Sequence, residues 1–359
     1  MMLMPIETIP DWEMRLARQD AFWAREIVDR PVVEINVPKP RPQRRWPEKT
    51  HATIRDRWMD AQYVAETALA SVMGTDYLGD GLPHVYPNLG PDVFAAFFGC
   101  ELEFAEETSW SVPNLPDWSE VDRVRFREDN VYWKKIIEIT DALLEVGRGR
   151  FYTGITDLHP GGDAVAAFRD PAQLNLDTIE AVAQVKELLA HVTEVYLRVY
   201  DFYHEKLRAA AQPISTWGGQ VSTKKWLIPS CDFSCMISPR VFQEVFLPAV
   251  ARECRHYEAS LYHLDGPSAL KHLDVLLEIP ELTAIQWVYG AGNGRCSDWL
   301  PVYQRIQAAG KGVDLRGLEP DELDLFMENL RPEGVWLGVG GVPDRETAEA
   351  IVKKVARWR

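Results

Sequence analysis

The sequence predicts one α/β chain folded as a (β/α)8 barrel with an elaborated N-terminal region. Strand-like and helix-like segments alternate along nearly all 359 residues, and 46% of the residues are hydrophobic, which is enough for a large core. The last four repeats recur every ~20–30 residues, as βα units of a barrel do. A doubly wound open sheet would need a Gly-rich phosphate turn after its first strand, and Val37-Pro38-Lys39-Pro40 is not one. The closed barrel is therefore the preferred fold.

Eight strands are expected at 31–37, 77–86, 151–157, 214–219, 260–265, 284–289, 312–316 and 334–339. Apolar residues at helical spacing predict a long helix over 176–210. Ser238 and Pro239 are expected to open a further helix, and Asp344 is expected to cap the last one at 344–357. Residues 1–28 are assigned to a helical extension and 29–359 to the barrel.

Composition excludes several classes of partner and compartment. The formal net charge of -15 disfavours nucleic acid and anionic membranes. There is no apolar run long enough for a membrane span, and the first residues lack the pattern of a secretory signal, so a cytoplasmic location is expected. The five cysteines are odd in number and scattered, which argues against a disulfide framework.

Polar and aromatic side chains concentrate where the expected strands end, which is where barrels build their sites. The clearest group is His263-Leu264-Asp265, because residues i and i+2 of a strand point to the same face. An imidazole and a carboxylate on one face can bind a metal or act as a base and its orienting partner. A hydrogen-bonded pair that only fixes the mouth of the barrel is the alternative.

Other strand ends supply further candidates for catalysis or substrate binding. Asp157 and Asp232 are expected to complete the group around His263, and Trp217, Trp287 and Tyr289 are expected to wall the pocket, with core packing as their alternative. The remaining expected substrate-binding residues are Asp80, Tyr86, His159, Gln220 and Asp314. The spacing of Cys231 and Cys235 is a weak metal signal, and packing at the start of a helix explains Cys235 as well.

The segment after the first strand, 38–47, is a Pro-rich basic loop, and 81–116 is rich in Gly, Pro and aromatic residues. Long loops of this kind commonly build sites. Arg41, Arg44 and Arg45 could clamp a carboxylate, whereas a solvated loop is the plainer interpretation.

Four segments, in order, resemble the uroporphyrinogen decarboxylase superfamily, which includes cobalamin-dependent methyltransferases acting on corrinoid proteins. They are 232–248, with its Asp, Ser-Pro, Phe and Pro; 262–266, similar to a His-x-Cys-Gly strand; 313–315; and 338–343, similar to a closing Gly-Cys-Gly-Ile-Pro turn. The stretch 23–31 is similar to uncharacterised members labelled as methylamine corrinoid-associated proteins. The resemblance spans roughly 29–357.

The resemblance implies a zinc site made of a His-x-Cys pair and a late Cys. Here His263 matches, whereas Asp265 stands at the first Cys position and Gly340 at the late one. A His/Asp set suits a harder metal environment than thiolates do, so zinc or another divalent metal is expected at His263 and Asp265. The Arg-rich turn of porphyrinogen decarboxylases is replaced by Asn36-Val37-Pro38-Lys39-Pro40.

Three functions follow as hypotheses. The first is a methyltransferase that moves a methyl group to or from a corrinoid (cobalamin) carried by a partner protein, with a small-molecule donor or acceptor. The second is a lyase or decarboxylase of a smaller carboxylated substrate, with the loop arginines holding the carboxylate and Asp80 or Asp157 handling protons. The third is a non-catalytic barrel that binds a corrinoid or tetrapyrrole. The chain could also pair as a homodimer.

Overall fold

The computed structural model describes residues 3–41 and 43–359. It has a mixed α/β fold in which thirteen strands and fourteen α-helices are described. The strands are β1 (Val32–Pro38), β2 (Thr75–Gly79), β3 (His84–Val85), β4 (Glu101–Phe104), β5 (Ser109–Val112), β6 (Tyr152–Thr153), β7 (Ile214–Ser215), β8 (Val221–Ser222), β9 (Trp226–Leu227), β10 (Ala259–Asp265), β11 (Ala284–Val288), β12 (Gly312–Leu318) and β13 (Val335–Val339).

Helices occupy most of the connections between these strands. They are α1 (Trp12–Ala24), α2 (Ile54–Trp58), α3 (Ala61–Met73), α4 (Val93–Ala96), α5 (Val131–Val146), α6 (Gly161–Arg169), α7 (Pro171–Glu180), α8 (Val182–Ala209), α9 (Pro239–Val241), α10 (Leu247–His256), α11 (Leu273–Leu277), α12 (Leu300–Ala308), α13 (Leu323–Asn329) and α14 (Arg345–Val355). A π-helical turn, Phe242–Phe246, joins α9 to α10. No helix in the described part of the chain is both long enough and apolar enough to cross a membrane.

The main sheet has seven strands in the order β2-β1-β13-β12-β11-β10-β9, and every neighbouring pair is parallel except β1 with β2. The first strand lies beside the last, with Val32 opposite Trp336. Because the other six strands run the same way, their carboxyl ends share one edge, which we call the carboxyl edge. This edge is where side chains from distant parts of the sequence meet.

A shorter parallel pair, β3 with β6, continues the arrangement, and the Ile155 amide donates to the Ser215 carbonyl just beyond it. Within residues 3–41 and 43–359, these pairings do not join the main sheet into one closed ring of eight strands. The expected α/β class is therefore confirmed. The structure shows a mostly parallel seven-stranded sheet, and a complete (β/α)8 barrel is not shown.

The strands expected from the sequence differ in how well they match. Those at 31–37, 260–265, 284–289, 312–316 and 334–339 correspond within two residues to β1, β10, β11, β12 and β13. The segment 77–86 instead divides into antiparallel β2 and the short β3. Gly79, the last residue of β2, has a φ of +63°, a left-handed conformation that glycine adopts freely.

Helix boundaries follow local chemistry. The hydroxyl of Ser238 accepts from the Val241 amide, and the carboxylate of Asp344 accepts from the Thr347 amide, so both expected caps are confirmed. The expected helix 176–210 is two helices, α7 and α8, which meet at Ala181. The buried face of α8 packs into the main core.

The N-terminal helix α1 lies across the amino ends of the strands. The Phe22 and Trp336 rings are 5.4 Å apart, and the Trp23 and Trp226 rings are 4.8 Å apart. The buried amide of Gln19 donates to the Asp80 carbonyl and accepts from the Val221 amide. The helix thereby covers the edge of the sheet opposite the carboxyl edge.

Candidate functional site

Five acidic and histidine side chains converge at the carboxyl edge. His263 and Asp265 are at the end of β10, and Asp232 begins the 3-10 turn Asp232–Met236 that follows β9. His159 is in the loop after β6, and Asp163 is in the first turn of α6. They form two groups, His159-Asp163-Asp232 and Asp232-His263-Asp265, in each of which one donor atom per residue lies within 4.8 Å of the others. Asp232 belongs to both groups.

The side-chain amide of Gln286 holds the ring of His263 in one orientation. Its Nδ1 is 2.7 Å from Oε1 of Gln286, and Nε2 of Gln286 donates to Oδ2 of Asp314 over 3.1 Å. A carboxylate only accepts, so the amide nitrogen must face Asp314 and the amide oxygen must face His263. His263 therefore carries its hydrogen on Nδ1, and the lone pair of Nε2 is left for a metal or a proton.

A row of hydrogen-bonded polar side chains beneath the site supports the orientation of Gln286 and His263. Oδ2 of Asp314 also accepts from Gln220 over 2.8 Å and from Arg316 over 3.0 Å, and Arg316 donates to Glu34 over 2.9 Å. Burial raises the pKa of Asp314, while Arg316 and the hydrogen bonds oppose this and favour the carboxylate. Asp314 and Gln220 are both fully buried, so the expectation that they touch substrate is corrected: they hold His263 in place through Gln286.

His159 is surrounded by carboxylates. Its Nε2 is 3.1 Å from Oδ1 of Asp157, a close contact that is poorly aligned as a hydrogen bond. Its Nδ1 is 3.7 Å from Oδ2 of Asp232 and 4.0 Å from Oδ2 of Asp163. Burial alone would lower the pKa of His159, but the three carboxylates outweigh it and raise that pKa to about 10.

Asp163 and Asp232, the two carboxylates that face Nδ1 of His159, have no cationic side chain close by among the described residues other than His159 itself. Burial, and then the neighbouring Asp232, raise the pKa of Asp163 to about 6. Among the described residues, no Lys or Arg lies within 4 Å of the carboxylate of Asp163 or Asp232. Asp163 is held instead by the Phe233 amide and the Ser230 hydroxyl. The group therefore has an excess of negative charge that a cation would relieve.

A cleft of about 310 Å³ opens beside His159 and His263. Trp217 lies between the two histidines, with its ring 5.0 Å from that of His263 and nearly perpendicular to it. The other lining residues are Trp58, Tyr86, Asn88, Gly90, Pro91, Glu107, Thr108 and Asp157. Burial and then Asp157 raise the pKa of Tyr86 to about 12, so its phenol keeps its hydrogen. The cleft is at the lower end of the roughly 300–1,000 Å³ that small-molecule sites occupy.

A second pocket, of about 520 Å³, also borders His159. Asp163 and Asp232 line it, together with Asp92, Cys235 and Met236. His159 thus lines both the inner cleft and this outer pocket, whereas Asp157 lines the inner cleft and Asp163 and Asp232 line the outer pocket.

Two aromatic residues expected in the pocket wall are elsewhere. Trp287 follows Gln286 on β11, so its side chain points to the opposite face of the sheet. It is fully buried against Trp299, with ring centres 5.0 Å apart, and Tyr289 stacks on the same Trp299 at 6.4 Å. The expectation for Trp287 is therefore wrong, and both residues pack on Trp299, outside the cleft lining.

Asp80 is also outside the site. Its carboxylate is fully buried at the amino end of β1, where it accepts from the Val33 amide and pairs with Arg30 and Arg18. The sequence interpretation of Asp80 as a substrate-binding residue is therefore corrected to a structural ion pair. Arg41 and Arg45 are exposed, and Arg44 pairs with Glu66.

Thiol ligands are not part of the convergent group. Cys231 is buried, and burial holds the pKa of its thiol well above the usual range. Cys235 is half-buried in the outer pocket, and burial and Asp232 raise its thiol pKa too. Gly340 follows β13, and a Cβ atom built on it meets no atom within 4 Å. The donor atoms of the group are imidazole nitrogens and carboxylate oxygens.

Asp163 was missed as a site residue, although a sequence signal for it existed. It is four residues after His159, and side chains four apart share one side of a helical turn. The contribution of Gln286 depends on which strand lies next to β10, and the sequence alone does not state that.

Comparisons with known proteins support the fold alone. No family model and no curated protein matches the chain. Among solved structures, the chain is similar to a methyltransferase from Methanosarcina mazei, with a TM-score of 0.58 and 12% sequence identity. The match covers 96% of this chain and 98% of that one, so the similarity extends over the whole fold.

Proposed function

We propose that this protein is a methyltransferase that uses a divalent metal at the carboxyl edge. The observation that carries the proposal is the anchored ring of His263, because Gln286 leaves its Nε2 lone pair facing the space shared with Asp232 and Asp265. The methyltransferase of similar fold supports the same reaction class. Membership of the uroporphyrinogen decarboxylase superfamily is part of the proposal.

The proposal includes a closed (β/α)8 barrel. The adjacency of β1 and β13 and the parallel pair of β3 with β6 support it, as does the bond from Ile155 to Ser215. In such a barrel the inner cleft would be the mouth, where side chains from several strands collect.

The donors of His263, Asp232 and Asp265 fit a divalent metal better than they fit a thiolate-bound zinc. A bound metal would supply Lewis acidity, which lowers the pKa of a coordinated acceptor. Gln286 and Asp314 would keep His263 in the ligating tautomer. Trp217 and Tyr86 would position a small acceptor in the cleft and exclude water from it.

The methyl donor in this proposal is a corrinoid carried by a partner protein. The inner cleft, about 310 Å³, suits a small acceptor, and the corrinoid would stay outside on its carrier. The alternative lyase function needs a basic side chain that holds the carboxylate of the substrate. No Arg or Lys is among the described residues that line the cleft. Arg44 is engaged by Glu66.

Methyl transfer from methylcobalamin to a panel of thiols and amines tests the proposal, with Zn²⁺ or Mn²⁺ supplied. We expect transfer by the wild type and a loss of at least about 100-fold in His263→Ala, more than the roughly 10–100-fold that an outer partner of a metal ligand supplies. His191→Ala is the matched control, because His191 is an exposed histidine on α8. Absence of transfer to every acceptor, or equal rates in His263→Ala and wild type, contradicts the proposal. Stoichiometric corrinoid binding without turnover would support the non-catalytic alternative.

A further inference from the structure

Three electron-rich atoms around His159 point into one space. Nε2 of His159 is 3.1 Å from a carboxylate oxygen of Asp157, a distance at which the nitrogen must carry a hydrogen, since two lone pairs would repel. In the neutral ring the lone pair is then on Nδ1. That atom faces Oδ2 of Asp163 and Oδ2 of Asp232. The two carboxylate oxygens and Nδ1 therefore need a positive charge between them, which a proton on Nδ1 or a bound metal ion can supply.

The distances favour a metal ion over a proton as that charge. The separations of 3.7 Å and 4.0 Å from Nδ1 to the two oxygens are too long for an N–H···O hydrogen bond. A tetrahedral metal with bonds of about 2.0–2.2 Å holds its donor atoms roughly 3.3–3.6 Å apart, close to what is observed. The contact with Asp157 is the outer partner that a ligating histidine commonly has.

Two further observations point to a ligand. Oδ1 of Asp232 is buried and has no hydrogen-bond partner among the described residues. Asp163 has a side chain only 9% exposed, and the structure describes no Lys or Arg within 4 Å of it. A carboxylate that is partly or fully removed from water is costly without a close cation. The cation that the described side chains offer here is a protonated His159, and its Nδ1 is too far from either oxygen for a hydrogen bond.

We propose a second divalent-cation site formed by His159, Asp163 and Asp232, with Asp232 bridging to the site at His263 and Asp265. Two such ions are typically about 3.5–4 Å apart, and a shared carboxylate commonly joins them. One nitrogen and several carboxylate oxygens suit Mn²⁺ or Zn²⁺. The bridge rests on the metal of the proposed function, whereas the site formed by His159, Asp163 and Asp232 does not.

Metal counting tests this site independently of activity. Purified protein is stripped with chelator, loaded with Mn²⁺ or Zn²⁺, dialysed and analysed for metal content. We expect two equivalents in the wild type, one in Asp163→Asn, one in His159→Gln and one in His263→Ala. In Asp232→Asn we expect neither of the two metal ions to be held tightly. Asp92→Asn is the matched control, because Asp92 lines the same outer pocket but is engaged by Ser111.

Electron paramagnetic resonance of the Mn²⁺ form tests the bridge. An exchange-coupled spectrum is expected in the wild type, and a spectrum of isolated Mn²⁺ is expected in His263→Ala and Asp163→Asn. Circular dichroism of each variant checks that it is folded, and only folded variants are counted. One equivalent that is lost in His263→Ala and kept in Asp163→Asn overturns the second site and leaves the proposed function standing. Two equivalents without methyl transfer overturn the proposed function and leave this site standing.

Discussion

Asp80 and the pair Asp163-Asp232 show two ways in which one chain treats carboxylates away from water. Asp80, at the amino edge, is fully buried and receives two guanidinium groups and a backbone amide. At the carboxyl edge, the buried Asp163 accepts only from the Phe233 amide and the Ser230 hydroxyl, and the partly exposed Asp232 has one oxygen without a hydrogen-bond partner among the described residues. Both carboxylates face the distant Nδ1 of His159. The first arrangement is complete within the protein and serves stability. The second is incomplete, and this incompleteness, more than burial itself, distinguishes the candidate functional edge.

The largest effect is expected from Asp80→Ala. This change leaves Arg30, which is 6% exposed, without its carboxylate, and breaking a buried pair in this way costs about 3–5 kcal/mol. Urea unfolding measures the free energy of unfolding. Asp29→Ala is the control, because Asp29 pairs with Arg18 at the surface and a surface pair contributes about 1 kcal/mol or less. Equal losses in the two variants would show that Asp80 is not the structural pair described here.

A smaller effect is expected from Gln286→Met. The change removes the acceptor that fixes Nδ1 of His263, and loss of such an outer partner weakens metal binding roughly 10–100-fold. Calorimetric titration with Zn²⁺ measures it. Gln220→Met is the matched control, because Gln220 also donates to Asp314 but does not contact His263. Gln286→Met should lose more affinity for Zn²⁺ than Gln220→Met. An equal loss of affinity in both variants would assign the effect to Asp314 instead.

Asp163→Asn should change the stability of the metal-free protein little, or raise it. The amide can still accept from Phe233 or Ser230, and the repulsion from Asp232 is removed, so a change within about 1 kcal/mol is expected. Thermal unfolding in the presence of chelator measures it. A loss as large as that of Asp80→Ala would place Asp163 with the structural carboxylates.

The smallest effect concerns Asp60, a carboxylate near the surface that caps α3. Burial opposes its charge, but Lys49, His51 and the Tyr63 amide outweigh this and lower its pKa to about 2. Because the folded pKa is below the unfolded one of about 3.9, the stabilisation is present above pH 4 and is lost as the pH falls towards 2. The difference in Tm between wild type and Asp60→Asn should therefore shrink over this interval. A constant difference would contradict the assigned pKa.

The strands that could be predicted from the sequence are those with strong alternating or apolar patterns. The segment of β10 is the clearest case, and its pattern also placed His263 and Asp265 on one face. The segment 77–86 failed because Gly79 and Asp80 interrupt it. Its first part, in β2, pairs antiparallel with β1, and only the two residues of β3 pair in parallel with the later strand β6. Local residues do not encode that pairing.

The site was predictable only where neighbours in sequence are neighbours in space. Gln286 and Trp287 are consecutive on β11, so only one of them can face the site, and the sequence alone does not say which. Asp80 could not be excluded either, because its partner Arg30 is 50 residues away and nothing in the local sequence indicates that pair. The convergence of His159, Asp163 and Asp232 likewise depends on three segments that only the fold brings together.

The open backbone position at Gly340 leaves room for a thiol just beyond β13. Its φ is outside the left-handed region, and a Cβ there meets nothing within 4 Å, so a cysteine side chain can be accommodated. In the proposed metal site, Asp265→Cys would replace a hard oxygen donor with a soft sulfur donor, and Gly340→Cys would add a second thiol after the end of β13. The metal preference of the proposed site would then change through two side chains, while the rest of the sheet is left unchanged.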